Sequence, residues 1–140
     1  MGTAARLGVE DPRTFRAAVA AMGSIATVAG TRGLLRGARE VPDPGRVTAS
    51  VDSEYRFYAT WYAIQGAALL AAATRTDVDR SVVRATAAGL GLGAAARALS
   101  LRSLGRPHPS QVALLAVEAV LAAILVPWHS AVTATPPAAS

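Results

Sequence analysis

Residues 57–74, FYATWYAIQGAALLAAAT, run for 18 positions without a charge. As an α-helix they reach roughly 27 Å, close to the thickness of a bilayer's hydrocarbon core. The opening end carries Tyr55, Phe57, Tyr58, Trp61 and Tyr62, whereas the closing end is alanine and leucine up to Arg75. Amphipathic rings at one end are expected at headgroup level, as interface anchors.

Three weaker segments accompany this one. Residues 15–35 follow Asp11-Pro12, where Asp caps a helix and Pro fits its first turn, but six alanines between Ala17 and Thr31 make the segment only weakly hydrophobic. Residues 82–101 and 110–130 are long enough to span yet contain Arg97 and Glu118. Short connections at 75–81 and 102–109 favour antiparallel neighbours. REVPDPGRVTAS is a longer loop broken by Pro42 and Pro44, after which helix two restarts near Asp52 or Ser53. The expected fold is all-α, a single membrane domain over residues 1–140 built as a four-helix up-down bundle. Its helices are placed at 12–36, 53–74, 80–101 and 110–130, with a disordered tail over 131–140. An alanine-rich soluble bundle would also look apolar all round; four near-spanning segments in 140 residues, with most charges in the gaps, argue against it.

Composition narrows the chemistry. Hydrophobic residues make up 52% of the chain and mean hydropathy is +0.34. All 14 basic residues are arginine, each permanently charged. The net charge of +5 is scattered between apolar segments, which favours lipid headgroups over nucleic acid as counterion. Without cysteine there is no disulfide, thiolate nucleophile or thiolate metal site, and His108 and His129 are too few for a histidine-rich one. No cofactor or metal is expected. The N-terminus lacks the short apolar core and cleavage site of a secretory signal, so the first hydrophobic segment is expected to be retained. The positive-inside count is nearly tied, with a weak lean to a cytoplasmic N-terminus and both termini on that side.

In an up-down bundle, Arg32, Glu54, Arg56, Arg97, His108 and Glu118 share one bilayer half. An ionised Glu118 amid VALLAV and AVLAAILV would cost at least ~2.5 kcal/mol near mid-membrane, so it should face inward, paired or protonated. Gln111, Glu118 and His129 lie on one face of helix four. Glu54, Tyr58, Trp61 and Gln65 share a face of helix two, from which Arg56 points away. Arg56, Arg97, Glu118, Glu54 and Gln65 are the expected buried polar cluster, either a structural ion-pair network or a proton or ligand site. Gly89 and Gly93, four residues apart and before Arg97, mark a helix-packing seam; without a preceding strand, GLGLG is no dinucleotide fingerprint. His108, between two prolines, reads as a surface turn residue.

VDSEYRFYATWYAIQG, GLGAAARALSLRSLGRPHP and VALLAVEAVLAAILVPW together resemble a family of small bacterial four-helix membrane proteins, domain of unknown function family 4345. The likeness rests on Asp52, Ser53, Arg56, Phe57, Gly89, Gly93, Arg97, Gly105, Pro107 and Glu118, and covers about residues 15 to 130. It implies the fold and a location in the bacterial inner membrane, and lends no catalytic residue.

The expected function is non-enzymatic: an accessory or self-associating bundle among membrane lipids, as a homo-oligomer or within a larger membrane complex, without nucleic acid. The alternative is a proton-coupled carrier, or a lipid- or quinone-binding protein, that uses Glu118. No nucleophile–base pair, metal set or phosphate cradle points to an enzyme.

Overall fold

The computed structural model describes residues 11–134, in which every long element is a helix and no strand occurs. The helices are α1 (Pro12–Arg36), followed by a 3-10 turn (Gly37–Glu40), α2 (Ala49–Ala73), α3 (Arg80–Leu104) and α4 (Pro109–Ala134). The all-α class read from the apolar runs is thus the observed one.

Local chemistry sets the helix starts. Asp11 Oδ1 accepts the Arg13 amide at 3.0 Å and Oδ2 accepts the Thr14 hydroxyl at 3.3 Å, with Pro12 in the first turn as expected. Asp79 caps α3 by accepting the Ser81 amide. His108 precedes α4, its Nδ1 accepting the Ser110 amide at 3.3 Å, and Pro109 opens the helix. The exposed turn histidine is therefore a cap. Helix two corrects the sequence reading: it starts at Ala49, capped by Thr48, whose hydroxyl accepts the Val51 amide at 3.3 Å. Asp52 is not a cap because its carboxylate is engaged elsewhere. The last helix also runs to Ala134, so 131–134 are helical rather than tail; residues 135–140 lie outside the described part.

Helix hydropathy corrects a second expectation. α1 with its turn, and α4, are long and apolar enough to cross a membrane, with mean hydropathies of 1.3 and 2.0 over their most apolar stretches. The segment at 57–74 ranks lower than expected because its tyrosines, tryptophan and Gln65 weigh against its alanines.

The chain divides into two compact units, one over Ala17–Asp77 and one joining the residues up to Arg16 with those from Val78 onward. In the first, α1 and α2 meet backbone to backbone. A methyl group built on Gly23 would lie 2.9 Å from the Gly66 carbonyl oxygen, and one on Gly30 would lie 2.7 Å from that of Ala59. In the second, Phe15 packs edge-on against Trp128 at 5.2 Å and beside His129 at 5.5 Å, with Phe15 and Leu125 nearly inaccessible. His129 Nε2 donates to the Val78 carbonyl at 2.9 Å, tying α4 to the residue before the α3 cap. Hydroxyls within the helices turn back onto their own backbone, as Thr27 does to Gly23 at 2.8 Å and Thr133 to His129 at 2.9 Å. Such bonds let polar side chains sit in apolar helices without an unmet donor.

Candidate functional site

The described charges form two arginine-centred clamps, one in each unit. In the first, α1 ends at Arg36 and is followed by Gly37, whose φ of +67° is left-handed, a usual helix stop. The final carbonyls of a helix lack intrahelical partners, and Arg56 from α2 supplies them: its Nη1 donates to the carbonyls of Leu34 and Leu35. Asp52, one turn before Arg56, accepts Arg56 Nε on Oδ2 at 2.8 Å and the Ala38 amide on Oδ1 at 2.8 Å. The two side chains together splice the end of α1 to the start of α2. The Arg56 hydrogen bond, then that of the Ala38 amide, hold the Asp52 carboxyl below its ordinary value. Gly37 is required twice, by its φ and because a methyl there would meet the Asp52 carboxylate and lie 2.7 Å from Arg56 Nη2. Beside the splice, Glu40 accepts from Arg32 at 2.5 Å and from Arg36 at 3.2 Å.

The second clamp joins α3 to α4. Arg97 Nε donates to Glu118 Oε2 at 2.9 Å, and Arg97 Nη1 donates to Gln111 Oε1. The Glu118 side chain is 14% exposed and that of Arg97 35%, so the carboxylate is largely withdrawn from the surface while the arginine keeps about a third of its area open. A methyl on Gly93 would sit 3.4 Å from Glu118 Oε2, so the glycine leaves room for the carboxylate. The face of helix four expected from Gln111, Glu118 and His129 is the one turned toward this unit's other elements.

The expected cluster is therefore reapportioned. Arg97 and Glu118 pair, and Arg56 takes Asp52 and backbone carbonyls. Glu54 and Gln65 are exposed, not buried; they stand on the side of α2 turned away from the glycine contacts with α1. Of the packing glycines, Gly93 meets α4 but Gly89 is exposed, and Gly91 takes its place with Ala122 at 3.7 Å. Tyr58, Trp61 and Tyr62 are exposed, 65%, 58% and 42%, and Phe57 stacks edge-on with Tyr58 and Trp61, whereas Tyr55 is half-buried and packs against Gly33. The closest seam, at Gly23, Gly30 and Gly66, escaped the sequence reading. Its signal was present, since Gly23, Thr27 and Gly30 repeat at helical spacing in the alanine-rich first segment. Glu40 was also missed, because a single glutamate in a proline-containing loop carries no pattern.

A family model for a domain of unknown function, DUF4345, matches residues 14–129. The chain belongs to the DUF4345 family. The matched region contains both clamps and the three close-contact glycines of this chain. No curated protein and no solved structure matches the chain. Among the described residues no three side chains of the His, Cys, Asp and Glu types gather as a metal set, and in both clamps the arginine Nε and Nη1 donate to internal partners.

Proposed function

We propose that this DUF4345 chain is a multi-pass membrane protein whose helices face lipid, and that it acts without catalysis as a scaffold or accessory subunit stiffened by the two arginine clamps. One observation carries the reading: the most apolar stretch of α4, of mean hydropathy 2.0, is only 11% buried. The core helix of a soluble protein would be apolar because it is buried. Here Leu114, Val117, Val120 and Ile124 are each more than two-fifths exposed. Leaving an aliphatic side chain in water forgoes about 1.5 to 3 kcal/mol relative to burial. At about half exposure each, those residues alone would then forgo roughly 3 to 6 kcal/mol, a large share of a domain's net stability of about 5 to 15 kcal/mol. Lipid removes that cost.

Arg97 also disfavours the carrier alternative, because its guanidinium already occupies the Glu118 oxygen a cationic ligand would need. Residence in a bacterial inner membrane belongs to the same proposal and comes from the family resemblance, not from geometry. Because the chain has no cysteine, topology can be tested with single introduced thiols at exposed loop positions. With the N-terminus cytoplasmic, Arg46→Cys and Arg106→Cys in intact cells should react with a membrane-impermeant maleimide, and Thr76→Cys only after permeabilisation. Equal reaction of all three, or of none, would contradict a four-pass arrangement.

A further inference from the structure

The splice between α1 and α2 borders a polar cavity of about 290 Å³, lined by Arg36, Arg39, Thr48, Ala49, Asp52 and Arg56 among others. Three guanidinium groups face one carboxylate there, and that carboxylate is committed to Arg56 Nε and the Ala38 amide. Arg36 is shared with Glu40 at 3.2 Å. Arg39 makes no ion pair within 4 Å among the described residues and is exposed. At the opposite wall α2 begins, where first-turn amides lack helical partners and the helix presents its positive pole. Of these, the Val51 amide is taken by Thr48 and the Asp52 amide by the Thr48 carbonyl, which leaves those of Ala49 and Ser50.

We propose that this cavity is an anion site for a phosphate group, with Arg39 and Arg36 as its principal ligands and the first turn of α2 completing it. Arginine presents a planar fork of donors that matches phosphate oxygens in pairs. Phosphate reaches the site as the headgroup of an anionic phospholipid or as the free ion. The surroundings favour the lipid. Glu40 links Arg36 to Arg32, and Arg32 rims an open groove of about 560 Å³ walled by Ile25, Val28 and Ala29, wide enough to seat an acyl chain. The lipid source rests on the membrane reading above; the anion site does not.

The test uses the full chain purified in a neutral detergent, with native mass spectrometry of bound phosphatidylglycerol against phosphatidylcholine, and a parallel calorimetric titration with inorganic phosphate. The wild type should retain phosphatidylglycerol preferentially. Arg39→Gln should lower that preference about fivefold, the worth of roughly one interfacial arginine. Ala49→Glu should abolish it, and this variant keeps the fold, since a carboxylate in the first turn of a helix is stabilising. Arg84→Gln, on α3 in the other unit, should leave the preference unchanged. Displacement of the lipid by phosphate, or phosphate binding alone that is lost in Ala49→Glu, also supports the site and identifies the free ion as a competent source. Phosphate binding by a chain that proves soluble would uphold the site while the membrane reading fails. The proposal is overturned if neither phosphatidylglycerol nor phosphate binds preferentially, or if the preference survives in both Arg39→Gln and Ala49→Glu.

Discussion

Gly30 and Gly91 show how differently two helical glycines bear on this fold. A methyl at Gly30 would press to 2.7 Å on the Ala59 carbonyl oxygen, whereas one at Gly91 would rest 3.7 Å from Ala122, an ordinary contact. Gly30→Ala should therefore cost about 1 to 3 kcal/mol of stability through overpacking, and Gly91→Ala should be neutral or gain up to about 1 kcal/mol from helix propensity. Thermal unfolding of both variants in detergent checks the contrast; equal effects would deny the close α1–α2 seam. Asp52 gives a titration at the same scale. Its carboxyl lies below its ordinary value of 3.8, chiefly through Arg56. A lowered carboxyl adds stability that is fully present above that ordinary value and is lost as pH falls through the lower folded value. Acid unfolding below pH 3.8 should accordingly be shallower in Asp52→Asn, and an unchanged acid limb would show that the splice contributes nothing.

Helices were the most legible part of the chain, and their ends the least. Apolar runs and the Asp11-Pro12 cap placed α1 correctly, because those signals are local. Helix two began earlier than read, since Asp52, a good cap by type, is recruited across the loop by the Ala38 amide, a partner that no local pattern reveals. The Arg97 and Glu118 pairing was legible because a carboxylate in an apolar helix demands a neutralising partner, and only a long cation near the facing helix end could supply one. Glu54 and Gln65 were misassigned for the complementary reason: nothing in the sequence shows which side of α2 meets α1, and the glycines that decide it stand on the other helix. At this scale the α3–α4 clamp should be worth about 2 kcal/mol in Arg97→Gln, as a lost hydrogen bond to a charged group. Glu118→Gln together with Arg97→Gln should cost less than the sum of the single changes, because neither partner is then left alone. A double-mutant cycle on melting temperatures measures this, and strict additivity would contradict the pairing.

For the whole molecule, the two clamps and the glycine seam explain what holds each unit, and on the membrane reading proposed above the exposed apolar helix faces meet lipid. α4 carries most of that proposal, since of the two apolar helices long enough to span it has the higher hydropathy and the lower burial. The aromatic group at Phe57, Tyr58 and Trp61 is exposed in the same way and would rest at the headgroups. Extraction of isolated membranes with alkaline carbonate tests this central claim most directly. Integration predicts that the chain stays in the pellet and is released only by detergent; release into the carbonate supernatant would contradict it.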